Sequence, residues 1–188
     1  MSDIAGESAS ALRNGRPTAA DIAFLVFLVC MLVVVALLGR MTFHEGLKTE
    51  ASKARAEALV AWLGDAHSRR ADASFEPQAC ARQSADEASP LTWAGCAKAL
   101  VSIAGPLGSK VNPFSGDPMA LVARCESAYP GTAGQILLER ISATPAGSAV
   151  PFVVQPLSGD ERLNVSLNLR VTVCDKGGYP IRIGETEF

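Results

Sequence analysis

Histidine is nearly missing from this chain, with two in 188 residues, His44 and His67. Neither has a cysteine or carboxylate at the spacing of a metal site, so no metal ligands are expected. G-x-S-x-G and H-E-x-x-H do not occur, nor does a Walker loop or G-x-G-x-x-G. Those absences remove the local signatures of serine hydrolases, zinc proteases and nucleotide- or dinucleotide-binding proteins. No catalytic residue, cofactor or small-molecule substrate is expected, and the chain reads as a non-enzyme. An excess of one charge is also lacking: 17 Lys and Arg stand against 19 Asp and Glu, for a net charge of −2. The basic residues do not cluster, which argues against a nucleic-acid surface.

Against this background one stretch stands out. Ile22 to Gly39, IAFLVFLVCMLVVVALLG, has no charge, proline or polar amide. As a helix it would be roughly 27 Å long at ~1.5 Å per residue, close to the ~30 Å hydrocarbon core of a bilayer. It is apolar all round and has no side to turn to water. Residues 1–17 are small, polar and aperiodic and read as a disordered tail. Residues 18–40 read as a transmembrane helix that contacts lipid through 22–39. The apolar run exceeds the usual length of a cleaved signal's core, and Gly39-Arg-Met-Thr-Phe is a poor cleavage context, so an uncleaved anchor is expected. Residues 41–188 form the remaining domain, long enough to have its own core.

Thr18-Ala-Ala-Asp21 matches the capping-box pattern. Thr18 can accept from an orphan backbone N–H, and Asp21 suits the positive end of the helix dipole. The helix is expected to continue beyond the membrane. Met41 to about His67 lacks proline and is rich in Ala, Leu, Lys and Glu. Phe43, Leu47, Ala51, Ala54, Ala58, Trp62 and Ala66 fall at steps of three and four and draw an apolar stripe expected to face the core. Trp62 and Trp93 read as packing residues between that helix and the globular part. Arg69 to Ala88 reads as a loop. Ser89-Pro90 starts a short helix to Ala104, and Asp117-Pro118 starts another to about Ser127. Gly105 to Gly116 is a turn-rich connection.

The period then changes to two. Gln135–Ile141 and Ala149–Gln155 read as strands, the second at an edge because of Pro151. Arg162 to Cys174 alternates apolar and polar residues and reads as one long antiparallel strand with a single buried face. A short strand follows at Tyr179–Ile183. The Asn164-Val-Ser166 sequon would lie inside the long strand. The expected fold class is α+β: a long N-terminal helix continuing into the domain, with small helices and a C-terminal antiparallel meander packed on it.

Cys30 lies in the apolar run and reads as a small packing residue. Cys80, Cys96, Cys125 and Cys174 all follow it. The gaps of 15, 28 and 48 residues between them show no close pair of the zinc type. Two disulfides in an oxidising compartment are expected, with free thiols as the alternative. Of the three possible pairings, Cys80–Cys96 with Cys125–Cys174 is preferred. Lys and Arg counts point the other way: two precede the apolar run, whereas Arg40, Lys48, Lys53 and Arg55 follow it. Large domains translocate despite such charges. The expected orientation is therefore N-terminus inside and C-terminal domain outside.

The order of a short hydrophilic leader, an apolar helix running into an amphipathic one, a loop, an antiparallel meander and late cysteines resembles type IV pilins and pseudopilins. In that family a processing glycine is followed by Phe or Met, with Glu at the fifth mature position. Here the candidate glycine is Gly15, followed by Arg16; the fifth residue is Ala20, and the acid, Asp21, comes sixth. Asn112-Pro-Phe-Ser-Gly116 is similar to loop sequences of some pilins. The resemblance implies a structural or assembly protein of the bacterial inner membrane with a periplasmic or extracellular head. It also implies removal of the leader after Gly15, and assembly with copies of itself or other envelope proteins. Asp21 would then neutralise a neighbour's positive terminus. In the alternative reading Asp21 caps its own helix, the leader stays, and the head is an anchored accessory subunit of an envelope complex.

Overall fold

The computed structural model describes residues 18–82, 91–128, 131–144 and 149–188. The expected tail, Gly15, the Ser89-Pro90 start signal and Tyr129-Pro130 lie outside the described residues. The chain divides into two compact units, one ending at His44 and the other running Glu45–Phe188.

Helix α1 is one element of 51 residues, Ala19–Arg69. No proline falls between Thr18 and Arg69. Hydroxyl residues beyond the apolar run bond back to the preceding turn, so their side chains are satisfied within the helix. Thr42 donates to the Leu38 carbonyl at 2.9 Å and Ser52 to the Lys48 carbonyl at 3.1 Å.

The buried seam of α1 differs from the expected stripe. It comprises Ser52, Ala56, Leu59, Leu63 and Ala66, and the series ends on buried Arg70 just past the helix. The steps are the expected fours and threes, but the phase is rotated. Phe43, Leu47, Ala54 and Ala58 are exposed, Ala51 and Trp62 are half-buried, and only Ala66 belongs to both sets. Phe43 and Leu47 pulled the sequence pattern toward their own side. In the fold the direction is set by Leu59 and Leu63, which have far more apolar surface to bury than the alanines.

Facing that seam is a five-stranded sheet: β1 (Leu121–Val122), β2 (Ile136–Ala143), β3 (Phe152–Pro156), β4 (Asn168–Cys174) and β5 (Pro180–Glu187). The order is β1-β2-β4-β5, with β3 also paired to β2. Strand β1 is parallel to β2, and the other pairings are antiparallel. The sheet is therefore mixed, and β3 leaves the expected meander. β2 meets β4 along one side and both β1 and β3 along the other, so β3 is the edge strand that Pro151 suggested. The helix approaches β5 closely. A Cβ on Gly184 would lie 3.3 Å from both methyls of Val60, and one on Gly64 would lie 3.1 Å from the Thr186 hydroxyl. Leu138, Leu169, Val171 and Val173 close the core from the sheet side.

Three further expectations change. The helix from Pro118 does not form. Met119 donates its N–H to the Lys110 carbonyl at 3.0 Å, and Ala120 donates to the Gln135 side-chain oxygen at 2.7 Å. These partners hold the backbone extended, so the segment pairs as β1. Strand β4 begins at Asn168 rather than Arg162, because residues 162–167 carry an irregular turn whose carbonyls and N–H groups bond to Leu91, Arg70 and Phe188. Its end is buried on both faces, Thr172 and Cys174 included. The last strand runs on to Glu187 rather than ending at Ile183. The helix expected from Pro90 to Ala104 is α2, Trp93–Val101, with Thr92 at its N-cap.

The seam predicts an asymmetry between two leucines of α1. In equilibrium urea unfolding of the detergent-solubilised protein, Leu63→Ala should cost about 2–5 kcal/mol, since Leu63 is completely buried. Leu47→Ala, at an exposed position, should stay within about 0.5 kcal/mol of the parent.

Candidate functional site

The N-terminal half of α1 has an unusual surface for its composition. Every residue from Thr18 to Leu47 is exposed, including Phe24, Phe27, Leu32, Val35, Leu38 and Met41. The helix is long and apolar enough to cross a membrane, and none of its most apolar window is buried by the protein. Cys30 is a free thiol on this surface.

At the head of the run the capping box is formed. The Asp21 carboxylate accepts from the Thr18 backbone N–H at 2.9 Å and from the Thr18 hydroxyl at 2.7 Å. Asp21 N–H in turn donates to Thr18 Oγ1 at 3.3 Å. The acid is thus engaged by its own helix. Gly15, the other residue singled out here, lies outside the described residues.

In the other unit the cysteines pair as Cys80–Cys96 and Cys125–Cys174. The first ties the 3-10 turn Gln78–Cys80 to α2, with 4.5 Å between Cα atoms. The second joins the segment after β1 to the end of β4, with 5.3 Å between Cα atoms. Each staples a loop to a regular element. No group of three or more His, Cys, Asp or Glu lies together among the described residues.

An aromatic cluster sits between α1, α2 and the C-terminal residue. Trp62 stacks on Phe188 with ring centroids 6.3 Å apart, Trp93 meets Phe188 edge-on at 6.0 Å, and Trp62 also touches Phe75 at 6.2 Å. Arg70 lies over the other part of this cluster, its guanidinium carbon 4.4 Å from the Phe188 ring centre. Its Nη2 donates to the Val165 carbonyl at 2.8 Å, while Nη1 is buried without a hydrogen-bond partner. Burial, and then repulsion from Arg82, push the Arg70 guanidinium down to about 10, with Glu187 opposing; it stays charged at neutral pH. Nothing in a single arginine announced this role. The one available signal was its place in the α1 series, four residues after Ala66.

The connection after α2 is more tightly specified than a plain surface turn. Asn112 is buried, donates to the Ala133 carbonyl at 2.7 Å and accepts from the Phe114 N–H at 2.9 Å. Gly134 adopts a left-handed φ of 77°, and a Cβ there would lie 2.5 Å from Asn112 Oδ1. Only glycine fits both constraints. Asn164 of the sequon lies in the irregular turn before β4, not in a strand.

Several clefts open on the surface, and two of them bear on function. One, of about 440 Å³, is lined by Ser158, Asp160, Glu161, Arg162, Asn164 and Val165. Three of its polar groups are engaged: Ser158 bonds to Asp160, holding that carboxyl below its usual range, and Glu161 pairs with Arg140. The other, of about 220 Å³, is bounded by Trp62, Glu76, Pro77, Ala104, Gly105 and Pro106. Among the described residues no histidine lines either cleft. No family model, curated protein or solved structure matches the chain.

The staples predict an order of stabilities. The bridges span 49 and 16 positions of sequence, for which loop closure implies about 4 and about 3 kcal/mol. The Cys125→Ser/Cys174→Ser double variant should therefore lower the midpoint of thermal unfolding more than Cys80→Ser/Cys96→Ser. Circular dichroism under non-reducing conditions reads the difference.

Proposed function

We propose that this chain is a single-pass membrane-anchored structural subunit of a bacterial envelope assembly, pilin-like in plan. One observation supports this reading most. A single helix, Ala19–Arg69, is apolar and exposed from Ile22 to Gly39 and supplies the core seam of an α+β head from Ser52 onward. The head offers a sheet, loops and two disulfides rather than a reactive centre. Among the described residues none covers the apolar stretch, which suits cover by lipid or by the same helix of other copies.

In this reading the head lies outside the cytoplasm. Two disulfides suit an oxidising compartment, and a domain of this size translocates despite the basic residues that follow the apolar run. The anchor sits in the inner membrane, the N-terminus faces the cytoplasm, and the partners are envelope proteins or copies of the chain.

The Asp21 cap favours a second reading. A carboxylate satisfied by Thr18 of its own helix has less need of a neighbour's terminus. In that case the leader is retained, and the protein is an anchored accessory subunit that binds another envelope protein without polymerising.

Intact mass of the protein purified from its own membranes separates the two. Cleavage after Gly15 should leave Arg16 as the first residue of a polymerising subunit; a chain still beginning at Met1 or Ser2 points to the accessory subunit. The placement of the head has its own measurement. Alkylation of the denatured, unreduced protein should modify Cys30 alone, whereas labelling of Cys80, Cys96, Cys125 and Cys174 would overturn a head outside the cytoplasm.

A further inference from the structure

The smaller cleft has a composition that neither the core nor the anchor requires. It is lined by Trp62, Glu76, Pro77, Ala104, Gly105 and Pro106. Trp62 stacks on Phe188 and remains half-exposed, so part of its ring faces the cleft. The two prolines contribute no N–H. Glu76 is exposed, and no hydrogen bond or ion pair engages its carboxylate among the described residues. The lining thus combines an aromatic ring, rigid apolar walls and a single charge, which is negative.

The loop that carries Ala104, Gly105 and Pro106 is held in place. A Cβ on Gly105 would lie 2.2 Å from the Ala99 carbonyl oxygen, and one on Gly108 would lie 1.6 Å from that of Ser102. Backbone bonds from Gly105 to Ser102 and from Leu107 to Leu100 close the turn at 2.8 and 3.0 Å. This fixed loop presents Ile103, next to the cleft, at 93 % exposure. An isoleucine so fully in water contributes nothing to the core and is free to meet an apolar residue of whatever occupies the cleft.

Aromatic faces attract cations, and a carboxylate in the lining reinforces that selection. At about 220 Å³ the cleft is smaller than the ~300–1,000 Å³ of typical small-molecule sites, a size suited to one side chain. We infer that this cleft receives an arginine or lysine side chain of a partner protein, with Ile103 contacting an apolar residue beside it. Charge complementarity selects the occupant: among the described residues that line the cleft, the only ionic group is Glu76. The inference concerns the head alone and stands whether or not the leader is processed.

The chain has two tryptophans. Their indole N–H signals, assigned with Trp93→Phe, report on the cleft and on the core in the full-length protein in maltoside micelles. N-acetyl-arginine methylamide should shift the Trp62 signal saturably and leave that of Trp93 in place. The citrulline analogue, of nearly the same shape but uncharged, should bind about fivefold more weakly, as should the arginine compound to Glu76→Gln, the scale of one exposed ion pair. An unmoved Trp93 signal in Glu76→Gln shows that its core is intact. Equal binding of citrulline, unchanged binding by Glu76→Gln, or no shift of Trp62 overturns the inference. Phosphocholine matching the arginine compound overturns the protein partner in favour of a lipid headgroup.

Discussion

Ser52, Ala56, Leu59, Leu63, Ala66 and Arg70 follow one another at steps of four and three, and all are buried. On a helix such steps form one nearly straight line, and the sheet's apolar face lies against it. Most of the head depends on that contact. Glycine at positions 64 and 184 allows the helix and β5 to meet at van der Waals distance. The buried residues of β2 and β4 complete the layer, each large aliphatic side chain contributing about 1.5–3 kcal/mol by leaving water. Among the described residues the helix is the only long element on its side of the core, and the strands are too short to form an independent unit without it.

Around the far end of that seam, polar and covalent constraints take over from aliphatic packing. Phe188 is fully buried, and its backbone exchanges hydrogen bonds with Leu167 at 2.7 and 2.8 Å. Trp62, Trp93 and Arg70 gather on its ring. Arg70 also holds the irregular turn before β4 through the Val165 carbonyl. One buried guanidinium thereby links the end of α1, the turn and the C-terminal residue. Arginine suits this role because its flat, weakly hydrated head can stack and donate at once. The Cys80–Cys96 bridge closes the same region by fixing the chain after α1 onto α2.

The anchor and the head solve opposite problems with the same helix. Up to Leu47 every residue of α1 is exposed, and its side chains from Ile22 to Gly39 have nothing to offer water. From Ser52 onward one line of the helix is buried by the head itself. Two surfaces stand out among the described residues: the exposed apolar stretch of α1, and a small cleft lined by Trp62 and Glu76.

The apolar run, the continuation of its helix, a strand ending at Cys174 and the absence of local catalytic motifs were all legible in the residue order. Each is a property of composition or of short-range period, and short-range period reports a helix or a strand whatever it packs against. Three things lay beyond it. The phase of the buried seam was misread because Phe43 and Leu47 suggested one side, while Leu59 and Leu63 found the sheet on another. The expected helix at Pro118 became β1 because Gln135 and Lys110, neighbours only in space, took its backbone N–H groups. The cleft joins residues from three separate stretches, around positions 62, 76 and 105, and no spacing rule connects them. Period and composition are local, so the sequence by itself determined the elements. Which side of each element is buried, and which side chains share a site, depends on distant partners, and only the tertiary structure decided that.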